Sequence, residues 1–125
     1  MRFFDDRGFY KRAQIVPSDL ALAGAASFED LDRLTIFADN LVPHVLRVDG
    51  VLRYDPELAA HIDSERLLPQ GRAEQEIRAC ALQAVEQLAE RTGTPPRELD
   101  ILLWNRGQAP EYKAVPRHRT RSVYY

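Results

Sequence analysis

Apolar positions recur at the helical period along much of the chain, and the longest such run predicts a helix from about Arg72 to Arg91. Ile77, Ala81, Ala84, Val85 and Leu88 form its apolar stripe, while Glu76, Gln83, Gln87 and Glu90 lie away from it. Cys80 borders the stripe and reads as a small core residue, not a nucleophile. Thr92-Gly93-Thr94-Pro95-Pro96 stops this helix, and Glu98 to Arg106 makes a shorter one carrying Leu99, Leu102 and Leu103, with Trp104 near its end. Upstream, Phe9 to Ile15 and Ser18 to Ala26 read as one helical region that kinks or restarts at Pro17, because proline lacks an N–H and clashes with the preceding turn. Phe28, Leu31, Leu34 and Ala38 repeat at helical spacing beside Phe37, so an apolar helix is expected to end at Asp39. Pro43 suits the first turn of a further helix bearing Val45 and Leu46, which Asp49-Gly50 closes, and Pro56 starts another. Pro116 to Tyr125 is expected to be extended, with Val123, Tyr124 and Tyr125 pinning the terminus. Strand-like alternation is scarce. The fold class is therefore mostly α, with residues 1–125 forming a single helical domain.

Composition narrows the function classes. An apolar share of 45% and a charged share of 29% describe a globular chain, and no uncharged stretch approaches the ~20 residues needed to cross a bilayer. Asp5 and Asp6 stand where an export signal would need an apolar run, so a cytoplasmic location is expected. One cysteine excludes an internal disulfide, and three scattered histidines (His44, His61, His118) give no metal cluster. From Lys113 onward there are four cations and no acid; removing them from a net charge of −2 leaves residues 1–112 at −6. That body is a poor match for DNA, while the basic tail can meet a small anion or fold back on the acidic body.

Candidate chemistry lies in polar residues lodged among apolar ones: Lys11-Arg12-Ala13-Gln14, Phe37-Ala38-Asp39-Asn40 and Trp104-Asn105-Arg106-Gly107. At the C-terminal end of an apolar helix, Asp39 would have a raised pKa and act as a better base; as a plain turn residue it would do neither. Lys11, beside Phe9 and Tyr10, either solvates a helix face or supplies a positive charge or a proton in a pocket. The helix, Pro-started turn and helix around Asp39 is similar to the helix-hairpin-helix of many DNA glycosylases, although Asn40-Leu41-Val42-Pro43 replaces the usual hairpin glycines.

Taken in order, several blocks resemble the queuosine salvage protein family. They are Phe9-Tyr10-Lys11-Arg12-Ala13-Gln14-Ile15, Leu34 to Asn40 running on through Val42-Pro43-His44-Val45-Leu46, Gly50-Val51-Leu52-Arg53-Tyr54, Glu76-Ile77-Arg78-Ala79-Cys80 and the terminal His118 to Tyr125. The resemblance covers nearly the whole chain from Phe9, but only the C-terminal part of the family's longer chains, and Met1 to Gly8 departs from the usual lead-in. It implies a helical fold related to helix-hairpin-helix DNA glycosylases and hydrolysis of queuosine 5′-monophosphate to queuine and ribose 5-phosphate, with queuine reused in tRNA modification. No metal or organic cofactor is implied. Asp39 would stabilise the oxocarbenium ion and orient water. Lys11 would aid departure of the 7-deazaguanine base or bind an anionic part of the substrate. Phe37 would stack on the base and Trp104 wall the pocket, with Asn40 and Asn105 beside them. His118, Arg119 and Arg121 would contact the phosphate. The rest of the pocket would come from a homo-oligomer or a complementary polypeptide. The competing readings are a nucleic-acid-binding module and an inactive structural remnant.

Overall fold

The computed structural model describes residues 2–125; Met1, the first residue of the atypical lead-in, lies outside them. Among the described residues there are six α-helices: α1 (Lys11–Leu22), α2 (Leu41–Val48), α3 (Pro56–Asp63), α4 (Arg72–Thr92), α5 (Pro96–Arg106) and α6 (Pro110–Lys113). Short 3-10 turns cover Arg2–Phe4 and Leu31–Arg33, and no strand occurs among the described residues. No helix there is long and apolar enough to cross a membrane.

The centre is α2. Leu41 to Leu46 are six consecutive buried residues, so this helix has no solvent face over most of its length. It packs on α4, α5 and α6. The main core joins Val42 and Leu46 of α2 to Ala81 and Val85 of α4 and to Ile36 and Ala38 just upstream. A second cluster sets Leu41 and Val45 against Tyr112 of α6. Gly107, after α5, makes that approach possible: a Cβ there would stand 2.8 Å from Val45 Cγ2 and 2.9 Å from Leu41 Cδ1.

The expected starts at Pro43 and Pro56, the stop at Asp49-Gly50 and the long α4 all form. Four expectations are corrected. First, of the two alternatives at Pro17 the restart does not form, since Pro17 lies inside α1, and the helix ends at Leu22, short of Ala26. Second, there is no helix leading into Asp39. Only Leu31–Arg33 is helical, as one 3-10 turn, and residues 34–38 are irregular. Ile36, Phe37 and Ala38 are buried in succession, which a helix with one apolar face would not do. Of the residues that carried the helical spacing, Phe28 is exposed, Leu31 and Leu34 are partly buried and only Ala38 is buried, so the spacing did not mark one inward face. The hairpin read around Asp39 therefore lacks its first helix. Third, Cys80 is exposed. Fourth, Leu102 and Val123 are exposed rather than packed. The inward stripe of α5 runs instead through Pro96, Asp100 and half-buried Leu103, and an acid thus lies on the buried face.

Candidate active site

Lys11 and Asp39 come together: Lys11 Nζ lies 3.6 Å from Asp39 Oδ2, with both side chains largely enclosed. Lys11 is the first residue of α1, and Asp39 lies just before Asn40, the residue that precedes α2. Lys11 opens α1 directly after Tyr10, whose φ of 50° places it in the left-handed region, and its own N–H reaches Asp6 Oδ2 at 3.4 Å. A tyrosine held there costs about 1–3 kcal/mol, an expense met by the surrounding contacts. Asp39 Oδ1 accepts the N–H groups of Leu41 at 2.8 Å and Val42 at 3.3 Å, so its carboxylate satisfies first-turn donors of α2 from the residue before the N-cap Asn40. Asp39 was expected at the C-terminal end of a helix; it stands instead at the N-terminal end of α2.

The irregular segment carrying Phe37 and Asp39 is fixed from two sides. Asp100 Oδ2, from α5, accepts the Phe37 N–H at 2.9 Å. Arg78 Nε, from α4, donates to the Ala38 carbonyl at 2.9 Å. Arg78 is 1% exposed and binds Asp6 through both terminal nitrogens, with Glu74 3.5 Å away. Its guanidinium also lies over the rings of Phe9 (4.1 Å) and Tyr125 (5.0 Å). One buried cation thus ties together the turn before Lys11, the segment before Asp39 and the chain end.

Asp100 is the residue that sequence reasoning passed over. It is 6% exposed, and burial pushes its pKa up to about 6; the Asp39 charge adds to that rise, while the Phe37 N–H and Lys11 oppose it. The signal was present as a lone acid between Leu99 and Ile101. Asp100, Phe37 and Trp104 line one cavity of about 150 Å³, with Ile15, Leu22 and Ser18 on its other walls. Ser18 is buried and its hydroxyl oxygen has no hydrogen-bond partner.

The other expected site residues are dispersed. Asn40 Nδ2 donates to the His118 carbonyl at 3.2 Å, fastening the tail to α2. His118 is 2% exposed, and burial lowers its pKa to about 4, so at neutral pH it is an uncharged ring whose Nε2 meets Tyr125 Oη at 3.2 Å. Those contacts leave no cationic face for a phosphate. Arg119 donates to the Glu65 carbonyl at 2.7 Å. Arg121 is exposed on the cavity between Arg2, Gln70 and Tyr124, and Asn105 is exposed at the end of α5. Among the described residues no group of His, Cys, Asp or Glu is placed to hold a metal.

Lys11 and Asp39 thus form an enclosed ion pair, and Asp100, whose raised pKa owes part of its rise to the Asp39 charge, lines a cavity with Phe37 and Trp104. The particular lineage follows from comparison with known proteins. The queuosine salvage protein family model matches residues 4–125, and the chain belongs to that family. Relatives named queuosine 5′-phosphate N-glycosylase/hydrolase are 42% identical in Sphaerobacter thermophilus, 39% in Dictyostelium discoideum and 38% in Mus musculus, each over 94% of this chain. The matches cover 39%, 40% and 40% of those relatives, so the chain spans about two-fifths of their length.

Proposed function

We propose that this chain carries the catalytic carboxylates of a cytoplasmic queuosine 5′-monophosphate hydrolase and completes its pocket with a second polypeptide. The observation that carries this reading is the Lys11–Asp39 pair coupled to the buried Asp100 beside the Phe37–Trp104 cavity. In this scheme the C1′–N bond breaks with its electron pair leaving on the base, and positive charge grows on the ribose. Asp39 faces that charge and takes the proton of the attacking water, whose oxygen bonds to C1′. Asp100, the carboxyl with the higher pKa, delivers a proton to the departing 7-deazaguanine, which has carbon where guanine has N7. Lys11 holds Asp39 in place and adds positive charge near the leaving group. Phe37 and Trp104 bracket the base.

The completing polypeptide corresponds to the part of the family chain absent here, or to a second copy. Leu22 on α1 and Trp104 on α5 are exposed apolar side chains that line the cavity, and a covering chain would remove them from water. Residues 1–125 act as one helical domain within that assembly. A DNA-binding role has no such support, since the body is acidic. The test is queuine release from queuosine 5′-monophosphate by the chain mixed with the complementary part of the Sphaerobacter thermophilus relative. Loss of release in Lys11→Met and in Asp100→Asn is expected; full turnover in both would overturn the scheme.

A further inference from the structure

The hydroxyl of Tyr125 stands at one end of a chain of buried polar contacts that runs to Lys11 and Asp39. Tyr125 Oη donates to Glu74 Oε1 at 2.7 Å. That proton is then committed, so the neutral His118 ring, whose Nε2 lies 3.2 Å from Oη, presents its Nε2–H to the tyrosine oxygen. Glu74 and His118 are both buried, so these bonds lie out of water.

Arg78 faces two buried carboxylates, Asp6 and Glu74, with a single charge, and it divides itself unevenly between them. Both terminal nitrogens bind Asp6 and Nε binds the Ala38 carbonyl at 2.9 Å, whereas Nη1 stays 3.5 Å from Glu74 Oε1. Glu74 therefore owes its short bond to the Tyr125 hydroxyl. The guanidinium is planar and rigid, so its contacts move together. Without the hydroxyl, Glu74 keeps only the long contact, and a buried carboxylate short of donors draws Arg78 toward itself, away from Asp6 and Ala38. Asp6 holds the entry to α1: its carbonyl accepts the Phe9 and Tyr10 N–H groups at 3.0 and 2.7 Å, and its carboxylate reaches the Lys11 N–H. Ala38 immediately precedes Asp39. Both members of the ion pair thus depend on where Arg78 sits.

We infer that Tyr125 is a positioning residue for the Lys11–Asp39 pair: its hydroxyl satisfies Glu74, and Glu74 so satisfied leaves the Arg78 fork on Asp6 and Ala38. The docked tail thereby keeps the pair in register. Neither Tyr125 nor Arg78 lines the Phe37–Trp104 cavity, so the role is placement and not contact with a ligand there. Misplacing a catalytic group by about 1 Å costs on the order of 100-fold in rate. The kinetic consequence rests on the hydrolase reading, while the coupling itself needs no substrate.

The experiment uses the two lysines of the chain, Lys11, enclosed and paired, and Lys113, exposed, as probe and internal reference. Acetylation by acetic anhydride, followed at each lysine by mass spectrometry, should be slower at Lys11. Tyr125→Phe keeps the ring over Arg78 and removes only the hydroxyl; it should raise the Lys11-to-Lys113 rate ratio at least threefold, while Tyr124→Phe leaves the ratio unchanged. Adding Glu74→Gln to Tyr125→Phe removes the unmatched charge and should return the ratio to the wild-type value. Far-UV circular dichroism checks that each variant is folded. In mixtures with the complementary part of the Sphaerobacter thermophilus relative, Tyr125→Phe should lower kcat at least tenfold at unchanged KM, and the double variant should recover it. An unchanged ratio in Tyr125→Phe, a ratio that stays raised in the double variant, or a raised KM with kcat intact would overturn the inference. Absence of release by the wild-type mixture would instead remove the hydrolase reading, and the labelling ratios would then decide the coupling by themselves.

Discussion

Asp100 Oδ2 accepts the backbone N–H of Phe37 across 2.9 Å, so a carboxyl on α5 fixes the segment that presents Asp39. The same enclosure penalises its charge. A pKa raised from 3.8 to about 6 in the folded state means that its contribution to stability is full below the unfolded value and is lost as pH rises through about 6. Asp100→Asn keeps an oxygen for the Phe37 N–H and removes the charge. The variant should gain stability over the wild type between pH 4 and 7, by up to about 3 kcal/mol, read from urea unfolding midpoints. A difference that does not vary over that range would show that Asp100 ionises normally.

Turnover should follow the same group in the active assembly. With Asp100 as the proton donor, kcat declines as pH rises above its pKa, and Asp100→Asn loses both that limb and most of the rate. A kcat rising through the same range would assign the opposite protonation state.

Arg78 sits between Asp6, Glu74 and the Ala38 carbonyl with almost no exposure. Replacing it by Met leaves two buried acids without their cation and should cost about 3–5 kcal/mol. Lysine cannot reproduce the fork that reaches both Asp6 oxygens, so Arg78→Lys should also destabilise. Thermal unfolding of both variants at pH 7 checks this, and a wild-type transition for either would contradict it.

The order of helices was legible because Pro56 and Pro96 start α3 and α5, Gly93 and Gly107 end α4 and α5, and α4 carries a regular apolar stripe. The segment from Phe28 to Ala38 was not. Its apolar spacing matched a helix, yet Phe28 is exposed and Leu31 and Leu34 are only partly buried, and burial is complete only over Ile36, Phe37 and Ala38. Lys11 and Asp39 were each visible as candidates, but their pairing joins residues 28 positions apart and depends on Arg78, whose role no local pattern announces. Asp100 was hidden by counting the leucines of α5 and overlooking the acid on its inner face.

Tyr124 and Tyr125 are partly buried, and Tyr125 donates its hydroxyl to Glu74 Oε1 at 2.7 Å while its ring stacks near Arg78. Deleting the two residues exposes the Arg78 cluster to water and should lower the melting temperature by several degrees, at a cost of about 1–3 kcal/mol. An unchanged transition would show that the chain end carries no load.

The most direct measurement is queuine released from queuosine 5′-monophosphate by the wild type and by Asp39→Asn, each alone and each mixed with the complementary part of the Sphaerobacter thermophilus relative. Asn can still accept the Leu41 and Val42 N–H groups, so the fold should persist, as far-UV circular dichroism will report. The account predicts release by the wild-type mixture, little or none by either chain alone, and a fall of about 100- to 1000-fold in the Asp39→Asn mixture, as for loss of one transition-state stabiliser. Equal release by the two mixtures would contradict it.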